Sequence, residues 1–168
     1  MSAYTITSSR KPRGLTVTDT AGQVLATIQQ PRYFSHDMEG NAGEQALRIA
    51  KEGFWRMSYS VFLEGTQIGR IKTTAWSQLQ WLLTFPGKPP VDLQFVSAAW
   101  KHRYYLRLAK DLPLLEVAPR FRWSSFTTAY AVNVVGPGIA PEQMPVMLAL
   151  AGFSAQLKRA RAQASGSA

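Results

Sequence analysis

Short apolar runs of period two, separated by turn residues, fill the chain from Tyr4 to Val135, and that period belongs to strands with one buried face. Leu15 to Ile28 reads as a hairpin turning at Thr20, Ala21 and Gly22, where glycine supplies the positive φ of a tight turn. Ser58 to Ile71 reads as a second, turning at Glu64 and Gly65. Here Met57, Tyr59, Val61 and Leu63 are expected on the buried face, and Arg56, Ser58 and Ser60 on the wet one. Further strands are expected at Val91 to Val96, His102 to Leu108, Leu112 to Ala118 and Phe126 to Val135. In the second of these, His102 falls in phase with Tyr104 and Leu106, as a core or rim histidine. Trp76 to Phe85 reads as a strand or bridging segment packed on the barrel, with a bilayer-interface loop as the alternative.

After Gly136, Pro137 and Gly138 the period changes, and Pro141 to Gln163 reads as a helix. Pro141 and Glu142 suit its first turn, regular winding is expected from about Pro145, and Lys158, Arg159 and Arg161 suit the negative end of its dipole. Val146 to Phe153 is apolar on every side, which predicts a helix buried all round. In a chain of strands its place is inside a barrel or between two sheets. Residues 1–163 are expected to form one domain, with 164–168 a disordered tail.

This order of elements, with turns of the D-x-x-G kind, the segment KEGFW (Lys51 to Trp55) and a final apolar helix, resembles the Tubby C-terminal-like superfamily. Within it, Ala46 to Trp76 is most similar to small bacterial members of the LURP-one-related and phospholipid-scramblase-like group. The resemblance implies a mainly β fold, an antiparallel barrel of roughly twelve strands closed around the buried C-terminal helix. It also implies association with lipids or partner proteins rather than catalysis. The basic phosphoinositide pocket of the Tubby proteins and the calcium site of the scramblases have no matching pattern here.

Composition narrows the function. Nineteen Lys and Arg against ten Asp and Glu give a formal +9 and a pI near 10.2, a balance that favours anionic partners. There is no cysteine, hence no disulfide framework, and a reducing cytoplasm is the expected location, with peripheral contact at a membrane. No nucleophile elbow or phosphate-cradling glycine motif occurs, and His36 with Asp37 and Glu39 reads as a solvated loop rather than a metal site. The expectation is therefore a non-enzymatic module without cofactor or metal. Its binding residues are expected on the outer faces of strands: Arg70 and Lys72, then Lys101, Arg103 and Arg107 with Tyr105 among them, then Arg120 and Arg122. Guanidinium forks suit phosphate oxygens. Phospholipid headgroups at a membrane surface are the first reading of the partner. A protein docking on the barrel as a rigid platform is the second. Nucleic acid is the weakest, because Trp55, Trp76, Trp81, Trp100 and Trp123 are assigned to packing rather than to base stacking.

Overall fold

A computed structural model describes residues 3–10, 13–32, 35–53, 57–75, 78–98, 102–108, 112–122 and 127–166. The alternating runs become twelve strands: β1 (Ala3–Arg10), β2 (Arg13–Thr18), β3 (Val24–Gln29), β4 (Met38–Ala42), β5 (Gln45–Lys51), β6 (Ser58–Leu63), β7 (Thr66–Ala75), β8 (Gln78–Leu83), β9 (Val91–Ala98), β10 (Arg103–Leu108), β11 (Pro113–Arg122) and β12 (Thr127–Val134). Each pairs antiparallel with its neighbour in sequence. β1 also pairs with β12, Ala3 opposite Asn133 and Thr7 opposite Ala129, so the sheet closes into a barrel without a free edge.

Alternation sends one side chain in two into the barrel. Ile6, Val61, Trp81, Phe95, Leu106 and Val132 are fully sequestered there. Between β6 and β7, Glu64 (φ 51°) and Gly65 (φ 78°) both take the left-handed conformation that a two-residue hairpin turn needs.

A 3₁₀ turn at Pro141–Gln143 leads into α1 (Met144–Gly166), whose second residue, Pro145, needs no intrahelical donor. From Val146 to Ala155 every residue of α1 is buried. Small residues decide where the helix sits. A side chain begun at Gly152 would lie 3.0 Å from Ile6 and from Leu15, so the helix backbone closes on β1 and β2 at that point. On the opposite wall, the indole of Trp81 donates to Ser154 Oγ at 3.2 Å, and Tyr59 meets Phe153 edge-on at 5.0 Å. At about 2 kcal/mol per large buried side chain, Met147, Leu148, Leu150 and Phe153 contribute on the order of 8 kcal/mol. That equals the whole net stability of an ordinary domain, about 5–15 kcal/mol. The helix is therefore the core of the barrel. Among the described residues, no helix is long and apolar enough to cross a membrane.

Three local expectations are corrected. His102 is not in phase with the core: it is an exposed turn residue at φ 51°, and β10 begins at Arg103. Met57 is 57% exposed just before β6, while Ser58 and Ser60, expected to be wet, are buried because Glu52 folds over them and accepts from both hydroxyls. Lys158, Arg159 and Arg161 do not lie in the last helical turn, because α1 continues to Gly166. Trp55, Trp76, Trp100 and Trp123, with Arg56 and Phe126, lie outside the described residues.

Candidate functional site at the helix exit

The strand cations expected to form a binding face are largely engaged with one another's neighbours. Arg70 Nε lies 3.1 Å from Glu52 Oε1, and Arg103 Nη1 lies 3.0 Å from Glu116 Oε1. Arg107 donates through Nε and Nη2 to Gln94 Oε1 at 3.2 and 3.1 Å. Lys72 stands opposite Gln80, Gln80 opposite Gln94 and Gln94 opposite Arg107, which puts Lys72 and Arg107 three strand spacings apart, about 14 Å. Between them Gln80 donates to both carboxylate oxygens of Asp92 at 3.1 Å. Arg120 is exposed on β11 opposite Ala129. Lys101 and the side chain of Arg122 lie outside the described residues. Arg103 and Arg107 share one face of β10 but stand four residues, about 13 Å, apart. Arg120 on the adjoining strand lies towards the Arg103 end, so the expected cations are spread over the outer wall rather than gathered. His36 is exposed. Asp37 and Glu39 both face Arg48 at 3.7 Å, and Asp37 also accepts from the Lys51 amide.

A denser concentration of positive charge lies where α1 leaves the barrel. The helix enters beside Gly43, whose ideal Cβ would sit 3.7 Å from Pro145, and leaves beside Arg10 and Arg13. Towards that exit the inner face changes character. On β1 the inward positions run Ile6, Ser8, Arg10; on β2, back from the core, Val17, Leu15, Arg13; on β12, Val132, Tyr130, Thr128. The facing helical stripe runs Gly152, Gln156, Arg159, Ala160, Gln163, the spacing of one helix face. Wall and helix enclose a cleft of about 250 Å³ lined by Ser8, Ser9, Arg10, Arg13, Thr128, Tyr130, Gln156, Arg159, Ala160 and Gln163.

Hydrogen bonds fix this lining. Ser8 Oγ donates to the Thr128 carbonyl at 2.7 Å, and Gln156 Nε2 donates across to the Gly14 carbonyl at 3.2 Å. Arg159 lies near the Tyr130 hydroxyl. Burial pushes that hydroxyl above its ordinary range, Tyr104 pushes the same way, and the Arg159 charge, which favours the ionised phenolate, opposes them. On the other side of the helix Arg161 donates to Thr73 Oγ1 at 2.6 Å. Lys158, half-buried and then repelled by Arg161, has its amine lowered to about 8. Among the described residues, no carboxylate lines the cleft. Ion pairs among the described residues engage Arg48, Arg70 and Arg103 rather than Arg10, Arg13 or Arg159. Reading strands for their wet faces passed over this site. The available signal was the phase of Arg10 with Ile6 and of Arg13 with Leu15, which puts both guanidiniums on the inner face.

No family model matches the chain, and no curated protein matches it. Among solved structures, the barrel is similar to a protein of Arabidopsis thaliana known from X-ray crystallography, with a TM-score of 0.56, at 13% identity over 90% of this chain and 91% of that one. At that identity the likeness is one of fold.

Proposed function

We propose that the chain is a Tubby C-terminal-like barrel that acts without catalysis, as a binding module for the anionic phospholipid surface of a membrane. The observation that carries this reading is the helix exit, where Arg10, Arg13 and Arg159 share one cleft with no acidic residue among the described residues of its lining. Like charges gathered at a concave site focus a positive potential outward, which draws in and orients an anionic surface. The shared barrel architecture supports the family reading, and the +9 charge supports an anionic partner. The absence of cysteine fits a cytoplasmic protein that meets the membrane peripherally.

Vesicle co-sedimentation tests it, with neutral phosphatidylcholine against mixtures containing phosphatidylglycerol, at low and physiological salt. Each cation near an anionic surface contributes about 1 kcal/mol, so Arg13→Gln/Arg159→Gln should lower partitioning roughly thirtyfold. Binding should also weaken with salt as the Debye length shortens from about 30 Å at 0.01 M to about 8 Å at 0.15 M. Equal binding to neutral vesicles, or none to either, would refute the reading. The barrel would then stand as a platform for a protein partner.

A further inference from the structure

We infer that the cleft between α1 and the β12–β1–β2 wall is a discrete binding pocket for one phosphate monoester group, seated on Arg10, Arg13 and Arg159. This rests on the reading that the helix exit receives anions, and it names the group received. Arg10 and Arg13 are opposite partners across β1 and β2, so strand pairing fixes their backbones within one ladder rung. Arg159 comes from the helix and shares the cleft lining with Tyr130. The helix is in turn tied to the wall by Gln156. Three arginines from three separate elements therefore line one open cleft, Arg10 and Arg13 exposed at its rim and Arg159 partly buried.

The chemistry of the lining selects the ligand. Guanidiniums only donate, and Thr128 and Gln163 add neutral hydrogen-bonding groups, so the occupant must be rich in acceptors. Three positive charges with no carboxylate among the described lining residues match a dianion better than a monoanion. A phosphate monoester carries about −1.5 to −2 at neutral pH, its second pKa lying near 6, and offers three terminal oxygens. A phosphodiester is a monoanion with two. At about 250 Å³ the space admits a phosphoryl group with a short polar stem.

Calorimetric titration of the intact protein at constant ionic strength tests this, with glycerol 3-phosphate, inorganic phosphate, sulfate and glycerol as probes. Saturable binding of the first three and none of glycerol is expected. Arg13→Gln and Arg159→Gln should each weaken phosphate about tenfold or more, the worth of a hydrogen bond to a charged group. Arg103→Gln, on the outer wall and paired with Glu116, should leave it unchanged. Among the described residues the ionisable groups of the cleft are Arg10, Arg13, Arg159 and Tyr130, with Tyr104 beside Tyr130, and no histidine or carboxylate lines it. Phosphate binding should therefore weaken as pH falls through about 6, where the ligand takes up its second proton, while sulfate binding holds.

Vesicles containing phosphatidic acid separate the two sources of such a group. Competition between glycerol 3-phosphate and these vesicles would assign the pocket to a lipid headgroup. Saturable binding of the soluble ester without vesicle capture would assign it to a free phosphate ester. Heats that follow ionic strength alone, or that survive both cleft substitutions, would overturn the pocket. Retained capture by anionic vesicles in that case would leave the broader surface reading standing.

Discussion

Ser154→Ala perturbs the helix-in-barrel arrangement by one oxygen atom and almost no volume. Ser154 and Trp81 are both fully buried, and the serine hydroxyl is the acceptor for the indole N–H at 3.2 Å, across a separation of 73 residues. Removing it leaves a buried donor with no partner, which costs about 1–3 kcal/mol. Alanine winds into a helix better than serine by a few tenths of a kcal/mol, so the net loss should be about 1–2 kcal/mol. With an unfolding entropy near 2.1 cal/mol/K per residue, a chain of 168 residues loses about 3–6 °C in Tm for that change. The assay is thermal and urea unfolding followed by circular dichroism and tryptophan fluorescence, run as a cycle with Trp81→Phe. Without the indole donor, the serine hydroxyl can turn to the helix carbonyl four residues earlier. Ser154→Ala should then cost almost nothing in the Trp81→Phe background, giving a coupling of about 1–2 kcal/mol. A stability loss in the wild-type background that is simply additive with Trp81→Phe would refute the contact, and with it the register of α1 against β8.

Three more outcomes follow from the same packing. Gly152→Val should destabilise by about 3 kcal/mol, since branched methyls would be forced between Ile6 and Leu15, whereas Gly152→Ala should stay within about 1 kcal/mol because improved helix propensity offsets the squeeze; chemical denaturation of the two variants separates them. Stability should rise with pH from about 8 towards 10.5, because over that window the unfolded chain binds a proton on Lys158 that the folded chain does not. Lys158→Met should abolish that slope, and it is best read below roughly pH 10, before the raised hydroxyls of Tyr59, Tyr104 and Tyr130 work in the opposite sense. Deleting residues 141–168 removes the core-forming helix and should leave a chain without a cooperative transition; a soluble truncated barrel that unfolds in one step would contradict the place given to α1.

The architecture was legible because its two signals are local. Period-two runs around Val61, Phe95 and Val132 announce strands with one buried face. Val146 to Phe153 has no polar stripe and so has to be enclosed. What escaped depends on partners far along the chain. β4 is Met-Glu-Gly-Asn-Ala, poor strand-forming material, and it is extended because β3 and β5 pair with it on both sides. Ser58 and Ser60 are buried because Glu52 returns to cap them, and no alternation rule anticipates that. His102 continues the apparent period of β10, yet its backbone takes a left-handed turn. The helix-exit cleft was half visible. Arg10 and Arg13 sit at inward phase, but an inward arginine has meaning only once Arg159, more than a hundred residues later, is known to share the rim.

The fold accounts for a polar helix exit, but not for a cationic one. A helix of 23 residues is longer than the ten or so that the barrel's apolar interior encloses, so its later turns must share the rim with strand ends that water reaches. Stability asks only that those positions be polar. The outer wall meets the same need by alternating signs, Arg70 with Glu52 and Arg103 with Glu116, which lowers the energy of the free protein. At the exit, two strands and the helix each present arginine to one cleft, and among the described residues no carboxylate lines it. That arrangement costs free energy when empty, most of all where Arg159 is partly withdrawn from solvent. Solubility is no reason for it either, since charges scattered over the outer wall would serve that end without repulsion at short range. An anion placed among the three guanidiniums would offset that repulsion, which is what the proposed phosphate site predicts.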